Sequence, residues 1–89
     1  MSGALTTERL KAAMRLQLPA PAPLSVRRYP DSGWEVGVPA DALHVLGSVY
    51  RVERLLRESL GRPVTVSGLY FTSDHRGHCA RFNVRATRV

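Results

Sequence analysis

The chain has 89 residues and a mass of 9.8 kDa, which allows one domain, and its 44% hydrophobic content suffices for a small core. These figures exclude a multidomain enzyme, a disordered chain, a collagenous chain and a disulfide scaffold. Thirteen Lys and Arg residues against seven Asp and Glu residues give a net charge of +6, a balance that suits a polyanionic partner or simple solubility.

A short N-terminal helix is predicted first, within residues 1–18. Thr6 or Thr7 can cap its start, Glu8 suits the helix dipole, and Pro19 ends it. Its apolar stripe is Leu10, Ala13 and Met14. Residues 19–23 alternate Pro and Ala, which predicts a stiff extended linker between this helix and the body of the domain.

Two strands and a turn follow the linker. Residues 24–29 alternate apolar and polar side chains, and the sequence from Pro30 to Gly33 is typical of a turn. Trp34, Val36 and Val38 then share one face of a second strand. We therefore predict a first β-hairpin.

A long helix is predicted over residues 42–60, with Asp41 as its N-cap and Gly61 at its C-terminal end. Apolar residues recur along it at spacings of three and four. They are Ala42, Val45, Leu46, Val49, Val52, Leu56 and Leu60.

Two further strands are predicted after the helix, over residues 64–72 and 80–86, with a second hairpin turn between them. The order of elements is α-β-β-α-β-β. This order predicts an α+β domain over residues 1–89, with 24–89 as a ββαββ body. Its four-stranded antiparallel sheet consists of two hairpins, and the helices pack on one face.

The phase of the third strand is open. Strict alternation from Val64 places Tyr70 inward and Leu69 and Phe71 on the outer face of the sheet. A bulge at Gly68 reverses this and sends Leu69 and Phe71 into the core, with Tyr70 outside.

Enzymatic motifs are absent: the chain has no phosphate-binding Gly loop, no pair of Cys residues at zinc spacing and no nucleophile elbow. We therefore expect a non-enzyme with no cofactor. His75, His78 and Cys79 near the second turn are a candidate metal set, but their spacing is poor and His78 and Cys79 point to opposite faces.

Cellular location follows from what the sequence lacks. One cysteine excludes an internal disulfide, no apolar run could span a bilayer, and charged residues interrupt any secretory signal near the start. We expect a cytoplasmic protein that does not contact membranes.

Three functional hypotheses follow. One is a small metal-binding protein or enzyme that uses His75, His78 and Cys79. The other two depend on the outer face of the sheet. The first is an assembly module that forms a homodimer, with Leu69 and Phe71 at the interface. The second is a module that binds single-stranded nucleic acid, because some sheets combine aromatic side chains with arginines for this purpose. Its candidate residues are Arg27, Tyr29, Tyr70, Arg81 and Arg85.

Overall fold

The computed structural model describes residues 5–18, 22–29, 33–42, 46–75 and 77–86. Its elements are helix α1 (Thr7–Arg15), strands β1 (Ser25–Tyr29) and β2 (Gly33–Pro39), helix α2 (Val49–Leu60), and strands β3 (Val64–Asp74) and β4 (Gly77–Ala86). The α+β class and the element order α-β-β-α-β-β are therefore confirmed. The linker predicted at 19–23 lies mostly outside the described residues.

The four strands form one sheet in the order β1-β2-β4-β3, and each neighbouring pair is antiparallel. The two hairpins meet in the middle, where Val36 of β2 pairs with Phe82 of β4. Strands β1 and β3 therefore form the two edges of the sheet.

Both helices pack on one face of the sheet, and the core lies between the helices and that face. Alternate residues of β2 and β4 point to that side, as the period of two requires. The fully buried larger side chains are Phe82, Leu10, Met14, Leu46, Leu56, Val36, Val38, Val52, Val64 and Val84. Among the described residues, no helix is long and apolar enough to cross a membrane.

Helix α1 begins as predicted and is attached to the sheet at its first turn. The Thr6 hydroxyl accepts a hydrogen bond from the Arg9 backbone N–H at 3.2 Å. One residue later, Thr7 Oγ1 accepts a hydrogen bond from the indole Nε1–H of Trp34 at 2.9 Å. Because Leu10 and Met14 are buried, this short helix contributes to the same core as the sheet.

The predicted start of the long helix is wrong. Helix α2 begins at Val49, because Gly47 has a φ of +93° and Ser48 is extended, so neither continues a helix. Ser48, not Asp41, is its N-cap, and its hydroxyl accepts from the Arg51 backbone N–H at 3.2 Å. The predicted end at Gly61 is confirmed by its left-handed backbone.

The predicted apolar stripe is largely buried despite this break. Ala42 and Leu46 lie in the core ahead of α2, and Val52, Leu56 and Leu60 bury its inner side. Val45, also expected on this stripe, lies outside the described residues.

Side chains of α2 bind the outer edge of β3. The Val66 backbone N–H donates to Glu53 Oε2 at 2.9 Å, and Arg57 Nε donates to the Val64 carbonyl oxygen at 3.0 Å. Glu53 and Arg57 also form an ion pair at 3.3 Å. The helix therefore satisfies backbone groups that an edge strand otherwise presents to solvent.

A β-bulge in β3 decides the phase that the sequence leaves open. Ser67 pairs with Asn83 and Tyr70 with Arg81, so Gly68 and Leu69 together oppose a single residue, Phe82. Gly68 has a φ of +69°, which a residue with a side chain rarely adopts.

The bulge places Leu69 and Phe71 on the helix side of the sheet and Tyr70 on the other side. Of the two phases that the sequence leaves open, the bulge at Gly68 is therefore confirmed, and the strict alternation that put Leu69 and Phe71 on the outer face is wrong. They are not core residues either, since Leu69 is 38% exposed and Phe71 is 62% exposed. The side chains of α2 contact β3 at Val64 and Val66. Leu69 and Phe71 come later in the strand, past these contacts.

Candidate functional site

The face of the sheet opposite the helices carries the densest group of functional side chains, and no described helix covers it. We call it the open face. Antiparallel pairing places Arg27 of β1, Glu35 of β2 and Asn83 of β4 in one row across it. Tyr70 of β3 and Arg81 of β4 lie in the adjacent row. Polar and aromatic side chains therefore lie within reach of one another.

Glu35 lies at the centre of the open face and is only 6% exposed, although neither of the two described helices covers this side. The Tyr70 hydroxyl donates to Glu35 Oε2, and Arg81 Nη1 donates to Glu35 Oε1 at 3.3 Å. Tyr29 approaches this carboxylate from the β1 edge, and Glu35 is the main influence on its pKa. Long side chains from three strands therefore surround one carboxylate and keep solvent from it.

The shared carboxylate changes the acid–base behaviour of its partners. The hydrogen bond from Tyr70 is the main cause that lowers the pKa of Glu35, Tyr29 and Arg81 act in the same direction, and burial opposes them. The hydrogen bond to Glu35 raises the pKa of Tyr29 and that of Tyr70 above the ordinary tyrosine value. Near neutral pH the cluster therefore contains one carboxylate and two neutral phenols.

The hydrogen bond to Glu35 also determines how the Tyr70 side chain lies. Tyr70 is on β3 and Glu35 is on β2, with β4 between them, so the strands are about 10 Å apart. A phenol that spans this distance must extend along the sheet and cannot project away from it. Because Tyr70 is 42% exposed, part of its ring remains accessible to a ligand.

Tyr29 has a similar setting at the other edge. It pairs with Gly33, which has no side chain, and it is 40% exposed. Tyr29, Gly33, Asn83 and Arg85 are among the residues that line a shallow depression of about 100 Å³. The two tyrosines therefore flank Glu35 from opposite edges of the sheet.

Positive charge surrounds the tyrosine pair. Arg27 and Arg85 are exposed on the open face, and Arg81 is partly exposed beside Glu35. Three arginines and one glutamate give this cluster a net charge of +2, because the glutamate cancels one arginine. All five residues predicted to bind nucleic acid, Arg27, Tyr29, Tyr70, Arg81 and Arg85, thus lie on one face.

The role of Glu35 was not predicted from the sequence. The available signal was its outward position in an alternating strand, between inward Trp34 and Val36. Alternation alone does not show that Tyr70 reaches it, since the contact depends on the bulge at Gly68.

The candidate metal residues do not form a cluster. Cys79 pairs with Thr72 and with Pro39 toward the open face, whereas His78 pairs with Ser73 on the other face. The His78 Nδ1 atom is 2.7 Å from the Ser73 hydroxyl. Within the described residues, no group of three or more His, Cys, Asp or Glu residues could hold a metal ion.

A depression of about 190 Å³ lies at the end of the open face where β1 begins. Small side chains form much of it, because Ser25 and Gly37 occupy the row that ends in Arg81 and Tyr70. Pro39 and Cys79 line it one row further along. The depression is therefore continuous with the tyrosine and arginine cluster through Arg81.

Comparisons of the chain with protein-family models, with curated proteins and with solved structures found no match.

Proposed function

We propose that the protein binds single-stranded nucleic acid on the open face of its sheet and has no catalytic activity. The observation that carries this proposal is the pair of partly exposed tyrosines, Tyr29 and Tyr70, which flank Glu35 and lie among arginines. A nucleic-acid partner agrees with the cytoplasmic location expected from the sequence.

The chemistry of each group matches a part of the ligand. Bases in a single strand are free to stack on aromatic rings, and rings held along a sheet lose little further freedom when they bind. Arg27 and Arg85 can contact phosphates, because both are exposed next to the tyrosines. Glu35 does not repel the strand strongly, since Arg81 pairs with it and it is buried.

The contribution of the tyrosines can be measured by fluorescence anisotropy with a labelled oligouridylate of about ten nucleotides at low salt. We expect Tyr70→Ala or Tyr29→Ala to weaken binding about tenfold, since each change removes a stacking surface. Tyr50→Ala is the matched control, because Tyr50 is 83% exposed on α2, in the layer opposite the open face. No binding by the wild-type protein at low salt would refute the proposal, as would equal losses from Tyr50 and Tyr70.

The arginines are tested by the salt dependence of the same titration. We expect Arg27→Gln and Arg85→Gln each to reduce the slope of log affinity against log salt concentration by about 1. Arg54→Gln, at an exposed position on α2, is the control and should leave the slope unchanged. A matched oligothymidylate shows whether the 2′-hydroxyl matters, which separates RNA from DNA as the preferred ligand.

Self-association is a second candidate, supported by a different feature. Leu69 and Phe71 are exposed large apolar residues two positions apart on the helix side of β3. A second copy could cover them and leave the open face unobstructed. Sedimentation at micromolar concentration tests this: a dimer that Phe71→Ser converts to a monomer supports it, and a wild-type monomer refutes it.

A further inference from the structure

The depression at the end of the open face differs from the rest of that face in the size of its side chains. Arg27, Tyr29 and Glu35 fill the neighbouring rows, whereas Ser25 and Gly37 leave space in theirs. The volume of about 190 Å³ is several times the ~30 Å³ that one water molecule occupies in the liquid. A planar group of the size of one base could therefore enter it.

Gly37 lines this space, although the backbone does not require glycine there. Its φ is not positive, so a residue with a side chain could adopt the same conformation. An added Cβ would lie 3.6 Å from the Ser25 Cβ atom and 3.7 Å from Arg81 Nη1, which are ordinary contact distances. Glycine at this position lets the Arg81 side chain lie close over the strand, beside the depression that both residues line.

Among the polar residues that line this volume, which include Ser25, His78 and Cys79, Arg81 carries the charge and the most donors. Arg81 has five N–H groups arranged in a fork, and its Nη1 atom binds Glu35 at 3.3 Å. Glu35 thereby orients the guanidinium at the border of the depression. Leu24 and Pro39 add apolar surface to the lining, which suits the faces of an aromatic base.

We propose that this depression is a base-specific pocket that selects guanine in a single strand bound across the tyrosines. Guanine presents two adjacent acceptors, O6 and N7, to an arginine fork, whereas adenine places a donor beside its N7 atom. This inference rests on the proposed function and deepens it, because it assigns sequence preference to Gly37 and Arg81 and general affinity to the tyrosines.

The test compares labelled oligouridylates that carry a central guanine, adenine, cytosine or uracil. We expect the wild-type protein to bind the guanine oligonucleotide at least about fivefold more tightly than the all-uracil one. Replacing that guanine with 7-deazaguanine, which lacks the N7 acceptor, should remove most of the preference. Gly37→Val should reduce the ratio of the two affinities to about one, because its side chain fills the pocket.

The outcomes separate the two proposals. Binding of all four oligonucleotides with equal affinity, or a preference for another base, would overturn the guanine pocket and leave the proposed function standing. Absence of binding to every oligonucleotide would overturn both. A Gly37→Val protein that keeps the wild-type preference would also overturn the pocket. The 7-deazaguanine comparison uses only the wild-type protein, so it decides the question even if Gly37→Val fails to fold.

Discussion

The two faces of the sheet use the same strands for different purposes. On β2, Trp34, Val36 and Val38 point toward the helices and are buried in an apolar core. Glu35, between them, points the other way and is buried by polar and aromatic side chains. The helix side derives its stability from burial of apolar area, whereas the open face depends on a few charged hydrogen bonds.

The largest expected effect comes from a change on the helix side. Phe82→Ala should lower the free energy of unfolding by about 3–5 kcal/mol, because Phe82 is fully buried in the middle of the core. Phe71→Ala is the matched control on the same side of the sheet and should cost less than about 1 kcal/mol, because it is exposed. Urea unfolding followed by circular dichroism measures both values, and equal losses would contradict the comparison.

A smaller effect is expected at the bulge, which assigns residues to the two faces. Gly68→Ala should cost about 1–2 kcal/mol, because a residue with a side chain is strained at a φ of +69°. The new Cβ would also lie 2.8 Å from Asn83 Nδ2. The neighbouring change Ser67→Ala, at an exposed position, should stay within about 0.5 kcal/mol in the same unfolding measurement. A Gly68→Ala protein as stable as wild type would mean that the bulge is not strained by a side chain.

The smallest expected effect concerns acid stability and comes from Glu35. Because the folded protein holds the pKa of Glu35 below its ordinary value, this group stabilises the fold above the ordinary carboxyl range. That contribution is lost as the pH falls through the lowered pKa. Glu35→Gln should therefore reduce stability by about 1 kcal/mol at neutral pH and by less in acid. Urea midpoints at the two pH values measure the difference, and an equal loss at both would contradict it.

The same variant, Glu35→Gln, should also change the titration of the two tyrosines on the open face at alkaline pH. Glu35 raises the pKa of Tyr29 and of Tyr70 in the folded protein, so both phenols stay protonated to a higher pH. In Glu35→Gln the ultraviolet titration of these tyrosines should move to lower pH. An unchanged titration curve would show that the carboxylate does not control them.

Local sequence signals predicted the features that depend on neighbouring residues. The Thr6 cap, the end of α2 at Gly61, the two hairpins and the inward stripe from Val52 to Leu60 all follow from spacing and turn chemistry. The start of α2 was missed because the apolar spacing continues through Gly47 and Ser48, where the backbone does not. Burial of Ala42 and Leu46 preserves the pattern without a continuous helix.

The candidate site depends on contacts between residues that are far apart in sequence. Tyr70 reaches Glu35 across 35 positions, and the bulge at Gly68 decides whether it lies on the correct face at all. Periodicity allows both phases of β3, since Leu69 and Tyr70 are acceptable on either side. The choice follows from the register between β3 and β4, which pairs Tyr70 with Arg81.

The hydrogen bonds from α2 to β3 limit where a strand from another chain could be added to this sheet. Glu53 and Arg57 occupy backbone groups of Val66 and Val64 that an added strand would need, while β1 at the other edge pairs only with β2 in the described sheet. A filament built by strand addition requires two usable edges on every subunit. Because α2 occupies the first part of β3, that stretch cannot serve as the second edge, and strand addition there cannot propagate into a fibre.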